Sequence, residues 1–126
     1  MEKLIIESTQ NSPSVVLDPA AGVYEFSGES RPENVRNFYG PVLDWLEQYA
    51  GGSPGPGTFV FNFDYFNSTS AKYILDIFKI LRSVRDKNRD LTIQWHYEED
   101  DEDMYEVGME MSRMSGLAFE FVKIEV

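Results

Sequence analysis

The sequence contains no cysteine. Disulfide frameworks, thiolate metal sites and cysteine nucleophiles are therefore excluded. Positive charge is scarce: 11 Lys and Arg stand against 22 Asp and Glu, for a formal net charge of −11. A phosphate-backbone binder needs a cationic face, so nucleic acid is disfavoured as a partner, and anionic lipid with it. No apolar run approaches the roughly 18 residues of a membrane span. The start, Met1 to Glu7, lacks the h-region of a signal peptide. These absences make the cytoplasm the expected compartment, with no membrane insertion. What is present is enough to fold. Of 126 residues, 42% are hydrophobic and 14% aromatic, which predicts one packed domain spanning 1–126.

Short apolar runs at Leu4–Ile6, Val15–Leu17 and Gly22–Phe26 read as strands. Ser30-Arg31-Pro32-Glu33 resembles a capping box, with Ser30 as the cap of a first helix. Val35, Phe38, Val42, Leu46 and Tyr49 recur there at helical spacing, and Gly40-Pro41 predicts a kink or break. Thr58 to Phe66 alternates, with Phe59, Phe61, Phe63 and Tyr65 on one side, the strongest strand pattern in the chain. A second helix carries Ala71, Ile74, Leu75, Phe78, Leu81 and Val84 on one stripe. Leu91 to Tyr97 alternates again, and Met104, Val107, Met111 and Met114 mark a third helix ended by Gly116. Leu117 to Val126 closes as a strand, with a bulge expected near Val122 where the alternation changes phase. The predicted class is α/β: a mixed sheet of about five to six strands, antiparallel at its start and parallel later. Helices should cover mainly one face.

Chemistry-bearing residues gather at Asp64-Tyr65-Phe66-Asn67-Ser68-Thr69-Ser70-Ala71-Lys72, where the best strand meets the second helix. The plain reading of the three hydroxyls is an N-cap cluster. The functional reading is a phosphoacceptor, because a helix N-terminus favours the negative charge of a phosphoryl group. Asn67-Ser68-Thr69 is also a glycosylation sequon, which a chain without a secretory signal would not expose to that machinery.

With these residues the chain resembles the SiaC family of regulatory phosphoproteins, similar in fold to STAS-domain anti-sigma factor antagonists. The resemblance rests on Ser8-Thr9-Gln10-Asn11-Ser12-Pro13, Ser27-Gly28-Glu29-Ser30-Arg31-Pro32-Glu33-Asn34 and Asp44-Trp45-Leu46. It continues through Tyr65 to Lys72 and Trp95-His96-Tyr97, all in the expected order over nearly the whole chain. It implies a STAS-like fold and reversible phosphorylation of the hydroxyl after the junction asparagine. Ser68 holds that place here; a known member carries threonine, and Thr69 remains the rival acceptor. The implied partners are a protein kinase, a PP2C-type phosphatase that removes the phosphate, and a diguanylate cyclase that the unphosphorylated form binds and activates. The implied protein is no enzyme and needs no cofactor. Asn67, Ser70, Lys72 and Lys79 are the expected partner-binding residues. The alternative is a STAS-like binding module for an anti-sigma factor or another signalling partner.

Three further features carry weaker expectations. Glu98-Glu99-Asp100-Asp101-Glu102-Asp103 lacks the spaced ligands and bend glycine of an EF-hand, and reads as a solvated loop leading into the third helix. Lys72, Lys79, Arg82, Arg85, Lys87 and Arg89 against Asp76, Asp86 and Asp90 make residues 68–90 net positive. They serve either the helix dipole or an acidic partner beside Ser68. His96 lacks companion metal ligands, and Asp64 near Ser68 lacks an oxyanion motif, so metal and hydrolase readings are weak.

Overall fold

The computed structural model describes residues 1–87 and 90–126. The alternating segments become strands β1 (Leu4–Ile6), β2 (Ser14–Asp18), β3 (Val23–Ser30), β4 (Gly57–Phe66), β5 (Leu91–Glu98) and β6 (Phe119–Ile124). Between the later strands lie helices α1 (Val35–Gly51), α2 (Ser68–Lys87) and α3 (Glu102–Ser115). The six strands form one sheet in chain order, β1-β2-β3-β4-β5-β6. β1, β2 and β3 pair antiparallel; β3, β4, β5 and β6 pair parallel. The mixed sheet is thus as the element order predicts.

Three successive crossovers step in one direction across the sheet, and right-handed crossovers then place every helix on the same face. That face is aromatic. Phe26 stacks on Phe61 at 4.8 Å between ring centres, and Phe61 meets Phe78 of α2 at 4.6 Å. Val42 and Leu46 of α1 and Ile74, Ile77 and Leu81 of α2 complete the buried layer. Each such side chain contributes about 1.5–3 kcal/mol by leaving water. The opposite face carries Glu25, Asn62, Gln94, His96 and Glu120, none of them fully buried. There the Gln94 side-chain amide donates through Nε2 to Glu120 at 3.3 Å, and its Oε1 accepts from His96 Nε2 at 3.0 Å.

Four local expectations are corrected. Ser30 does not cap α1: it is the last residue of β3 and wholly buried, because β3 stays paired with β4 as far as Phe66. Asn34 is the cap, its side chain accepting from the Asn37 amide. Pro41 does not break α1, which continues to Gly51. Its ring is exposed, so water can serve the carbonyl that loses its N–H partner. β6 has no bulge at Val122, for it pairs residue by residue with β5 from Ile93↔Phe119 to Glu98↔Ile124. The phase change instead reflects an edge strand whose Val122 and Ile124 are half-buried. Finally, the inward alternation of β4 ends at Phe63. A register shift against Gly28/Glu29 turns Tyr65 outward, 48% exposed, and brings Phe66 to Phe63 and Trp95.

The third helix starts and stops as its sequence predicts. Asp101 accepts from the Met104 amide at 3.0 Å, and Glu102 and Asp103 occupy the first turn. Gly116 closes it in the left-handed region at φ 74°. Met114 of the expected apolar stripe is exposed.

Candidate functional site

Parallel strands followed by helices bring β-strand C-termini and helix N-termini to one pole of the sheet. Helices α1, α2 and α3 all begin there, directly after β3, β4 and β5. The β1–β2 turn joins them, since the Arg31 amide donates to the Asn11 carbonyl at 2.8 Å. Ser68 stands in the middle of this pole.

Asn67 is the residue that starts α2. Its side-chain oxygen accepts from the Ser70 amide at 2.9 Å, and its carbonyl accepts from the Ala71 amide. Asparagine is a strong cap because this oxygen satisfies a helix N–H that has no partner inside the helix. The three hydroxyls therefore have separate fates. Thr69 donates its hydroxyl to the Asn67 side chain at 3.0 Å. Ser70 is wholly buried. Ser68 is exposed, and among the described residues its hydroxyl has no hydrogen-bond partner.

Beneath Ser68 runs a buried polar chain. The Ser30 hydroxyl donates to the Ser70 hydroxyl at 2.9 Å, and Ser70 donates to the Ser30 carbonyl at 2.9 Å. With its one proton so used, Ser30 accepts from Tyr39 of α1 at 2.5 Å. Burial pushes the Tyr39 hydroxyl up to about 12, against the two serine hydrogen bonds that work to lower it. Tyr39 is thus a proton donor throughout the neutral range. The same Ser30 carbonyl accepts from the Asn67 amide at 3.1 Å, so the strand end holds the turn that presents Ser68. Ser70, expected to face a partner, instead spends its hydroxyl inside the protein. The link between Ser30 and Ser70 escaped sequence reasoning because nothing local connects residues 40 positions apart, and Tyr39 joins the site only through that link.

Lys72 and Lys79 are exposed on α2. Ser68, Lys72, Leu75 and Lys79 fall four, three and four residues apart, which aligns them along one helix stripe. The rest of the basic cluster does not reach Ser68. At 1.5 Å per residue, Arg85 begins about 25 Å along the helix from it. Arg82 caps the far end of α3, donating to the Ser115 and Gly116 carbonyls at 3.4 and 3.3 Å, and pairs with Asp86 at 3.2 Å. Arg89 lies outside the described residues. A continuous basic surface beside Ser68 is therefore not formed; Lys72 alone of the cluster shares its neighbourhood.

The acidic run reaches the same pole, in the turn between β5 and α3. Among the described residues no group of three or more His, Asp or Glu side chains is placed to hold a metal ion. His96 lies on the open sheet face, where burial lowers its pKa below 6.5 and nearby Glu25 acts in the opposite sense. Its ring bonds Gln94, not a hydroxyl of the pole. Asp64 is exposed at the register shift of β4. No helix among the described residues is long and apolar enough to cross a membrane.

Comparison with known proteins bears on this geometry. The family model described as SiaC family regulatory phosphoprotein matches residues 6–124. Over 110 residues the chain is 31% identical to an uncharacterized protein of Pseudomonas aeruginosa (strain UCBPP-PA14), covering 87% of each. The structure of SiaC of Pseudomonas aeruginosa aligns with a TM-score of 0.84 at 28% identity, covering 100% of both chains. A chain in the crystal structure of diguanylate cyclase SiaD in complex with its activator SiaC, from Pseudomonas aeruginosa, aligns with a TM-score of 0.85 at 29% identity. That match covers 98% of this chain and 99% of the other. Matched in sequence and in fold over nearly its whole length, the chain belongs to the SiaC family of regulatory phosphoproteins.

Proposed function

We propose that this protein is a non-catalytic switch whose unphosphorylated form binds and activates a diguanylate cyclase. A protein kinase phosphorylates Ser68, and a PP2C-type phosphatase reverses it, in the cytoplasm. The observation that carries this reading is the state of the three hydroxyls. Thr69 is engaged by Asn67 and Ser70 is buried, whereas Ser68 is exposed and unengaged at the first turn of α2. The likeness to SiaC in complex with diguanylate cyclase SiaD supports the cyclase as output.

The switching energy follows from charge. Phosphorylation adds roughly −1.5 to −2 charges and three strong acceptor oxygens. In an interface shaped for a neutral hydroxyl that group must lose water and find room, at a cost of several kcal/mol. About 2.8 kcal/mol is already a hundredfold in affinity. The α2 stripe of exposed Ser68, Lys72 and Lys79, with half-buried Leu75 between the lysines and Asn67 at its head, supplies a contact surface of mixed apolar and cationic character.

The test has two arms. Incubation with the cognate kinase and ATP, followed by phosphosite mass spectrometry, should place phosphate on Ser68. Purified cyclase should form more cyclic di-GMP with the wild type and with Ser68→Ala than with Ser68→Asp. Phosphate absent from both Ser68 and Thr69, or equal activation by all three proteins, would overturn the switch.

A further inference from the structure

At the strand end that holds the Ser68 turn lies a cation that the switch does not yet use. β3 and β4 end together, Ser30 being the register partner of Phe66 and its carbonyl the acceptor for the Asn67 amide. The next residues outward are Arg31 on one strand end and Asn67 on the other, with Ser68 one position further along the chain. Arg31 pairs with Glu29, its Nε donating to the carboxylate at 3.0 Å, with both side chains substantially exposed. Its backbone is fixed by the hydrogen bond from its amide to Asn11.

We propose that a phosphate on Ser68 is clasped within the same molecule by Arg31, which leaves Glu29 to do so, with Lys72 one helical turn along α2 as the second cation. This rests on Ser68 being the acceptor. The exchange is favourable on chemical grounds. An exposed Arg–carboxylate pair is weak and readily broken. A phosphomonoester dianion offers the guanidinium fork a stronger, bidentate match. The surroundings add a reason. Asp64 is exposed near the end of β4, and the carboxylates of residues 98–103 occupy the same pole, so a new dianion there is repelled unless a cation turns toward it. Glu29 is then the competitor that holds Arg31 while Ser68 is unmodified. Phosphorylation thereby changes the surface twice, by masking a hydroxyl and by releasing the Glu29 carboxylate to solvent.

The test uses the full chain with phosphoserine inserted at position 68 during synthesis. Kinase choice then plays no part, so a kinase that ignores Ser68 would damage the proposed function and leave this result intact. The phosphorus NMR shift is titrated through the second ionisation of the phosphate. Arg31→Gln should raise the midpoint by about 0.5 unit or more, the direction expected when an opposite charge is removed. Arg31→Lys should recover part of the shift, and Glu29→Gln should lower the midpoint by freeing the cation. Both positions are exposed, so these variants keep the fold. An unchanged midpoint in Arg31→Gln overturns the clasp, and one that rises in Glu29→Gln overturns the competition.

Discussion

The Ser70 hydroxyl donates to the Ser30 carbonyl at 2.9 Å, across the ends of β3 and β4. That carbonyl also receives the Asn67 amide, so both of its lone pairs are used. The turn that displays Ser68 is therefore fastened to the neighbouring strand by two hydrogen bonds at one atom. Ser68 itself is exposed, while Asn67 before it and Ser70 after it are tied to the strand end.

Ser30→Ala should be much more damaging than Ser68→Ala, although both remove one hydroxyl. The first leaves the buried Tyr39 hydroxyl without its acceptor and takes a donor from Ser70. An orphaned buried polar group costs about 1–3 kcal/mol. The second alters an exposed side chain without a partner, where changes stay within about 0.5 kcal/mol. Urea unfolding followed by circular dichroism measures both. Equal midpoints would show that the buried chain does not stabilise the fold.

Alkaline pH should weaken the protein through its buried tyrosines. Burial holds Tyr39 and Tyr49 up to about 12 from an ordinary 10.0. Between these values the unfolded chain has lost the phenol protons and the native state still binds them. Stability is therefore fully present below pH 10 and falls as pH rises toward 12. Tyr39→Phe should reduce that slope, as read from urea midpoints at pH 9, 10 and 11. A slope unchanged by Tyr39→Phe would mean that the phenol is not held protonated by the fold.

How far these features are visible in the sequence depends on their range. Alternation along β4 and β5 and the helical stripe of α2 are local, and they predict the sheet and its one helical face. Ser30 misleads because Ser-x-x-Glu is a local cap signal, whereas the residue's fate is set by pairing with Phe66, 36 positions away. Tyr65 misleads for a related reason: the register shift that turns it outward depends on Gly28 and Glu29 of the adjacent strand. Asn67-Ser68-Thr69 is legible as the cap of α2, but which hydroxyl stays free depends on the Asn67 rotamer and on the buried Ser30. Of the two readings of the +3 segment the helix-dipole one fits better: Arg85 and Lys87 fall in the last turn of α2 and Arg82 bonds the end of α3, which leaves Lys72 near Ser68.

Gly108→Ala should be poorly tolerated. A Cβ at Gly108 would lie 2.5 Å from Cδ1 of Trp95, against a ring that is buried and cannot swing aside. The same indole donates to the Met104 carbonyl at 3.0 Å, so moving it also costs a hydrogen bond between β5 and α3. Overpacking of this kind costs about 1–3 kcal/mol. Tryptophan fluorescence during urea unfolding should show the loss of stability. Wild-type stability in Gly108→Ala would mean that α3 can shift away from the sheet at little cost.

Asn67→Ala should both weaken α2 and blur the choice of acceptor. The Asn67 side chain performs two tasks with one oxygen, receiving the Ser70 amide at 2.9 Å and the Thr69 hydroxyl at 3.0 Å. Losing the cap costs about 0.5–2 kcal/mol. Losing the acceptor also frees the Thr69 hydroxyl, one residue from Ser68 and equally exposed to an incoming kinase. Phosphopeptide mass spectrometry after reaction with the cognate kinase should find Ser68 alone modified in the wild type. In Asn67→Ala the phosphate should be shared between Ser68 and Thr69, while Asn67→Asp, which keeps the oxygen, should preserve the wild-type pattern. If Asn67→Ala is still modified at Ser68 alone, the kinase selects by position along the helix, and the Thr69–Asn67 hydrogen bond plays no part in the choice.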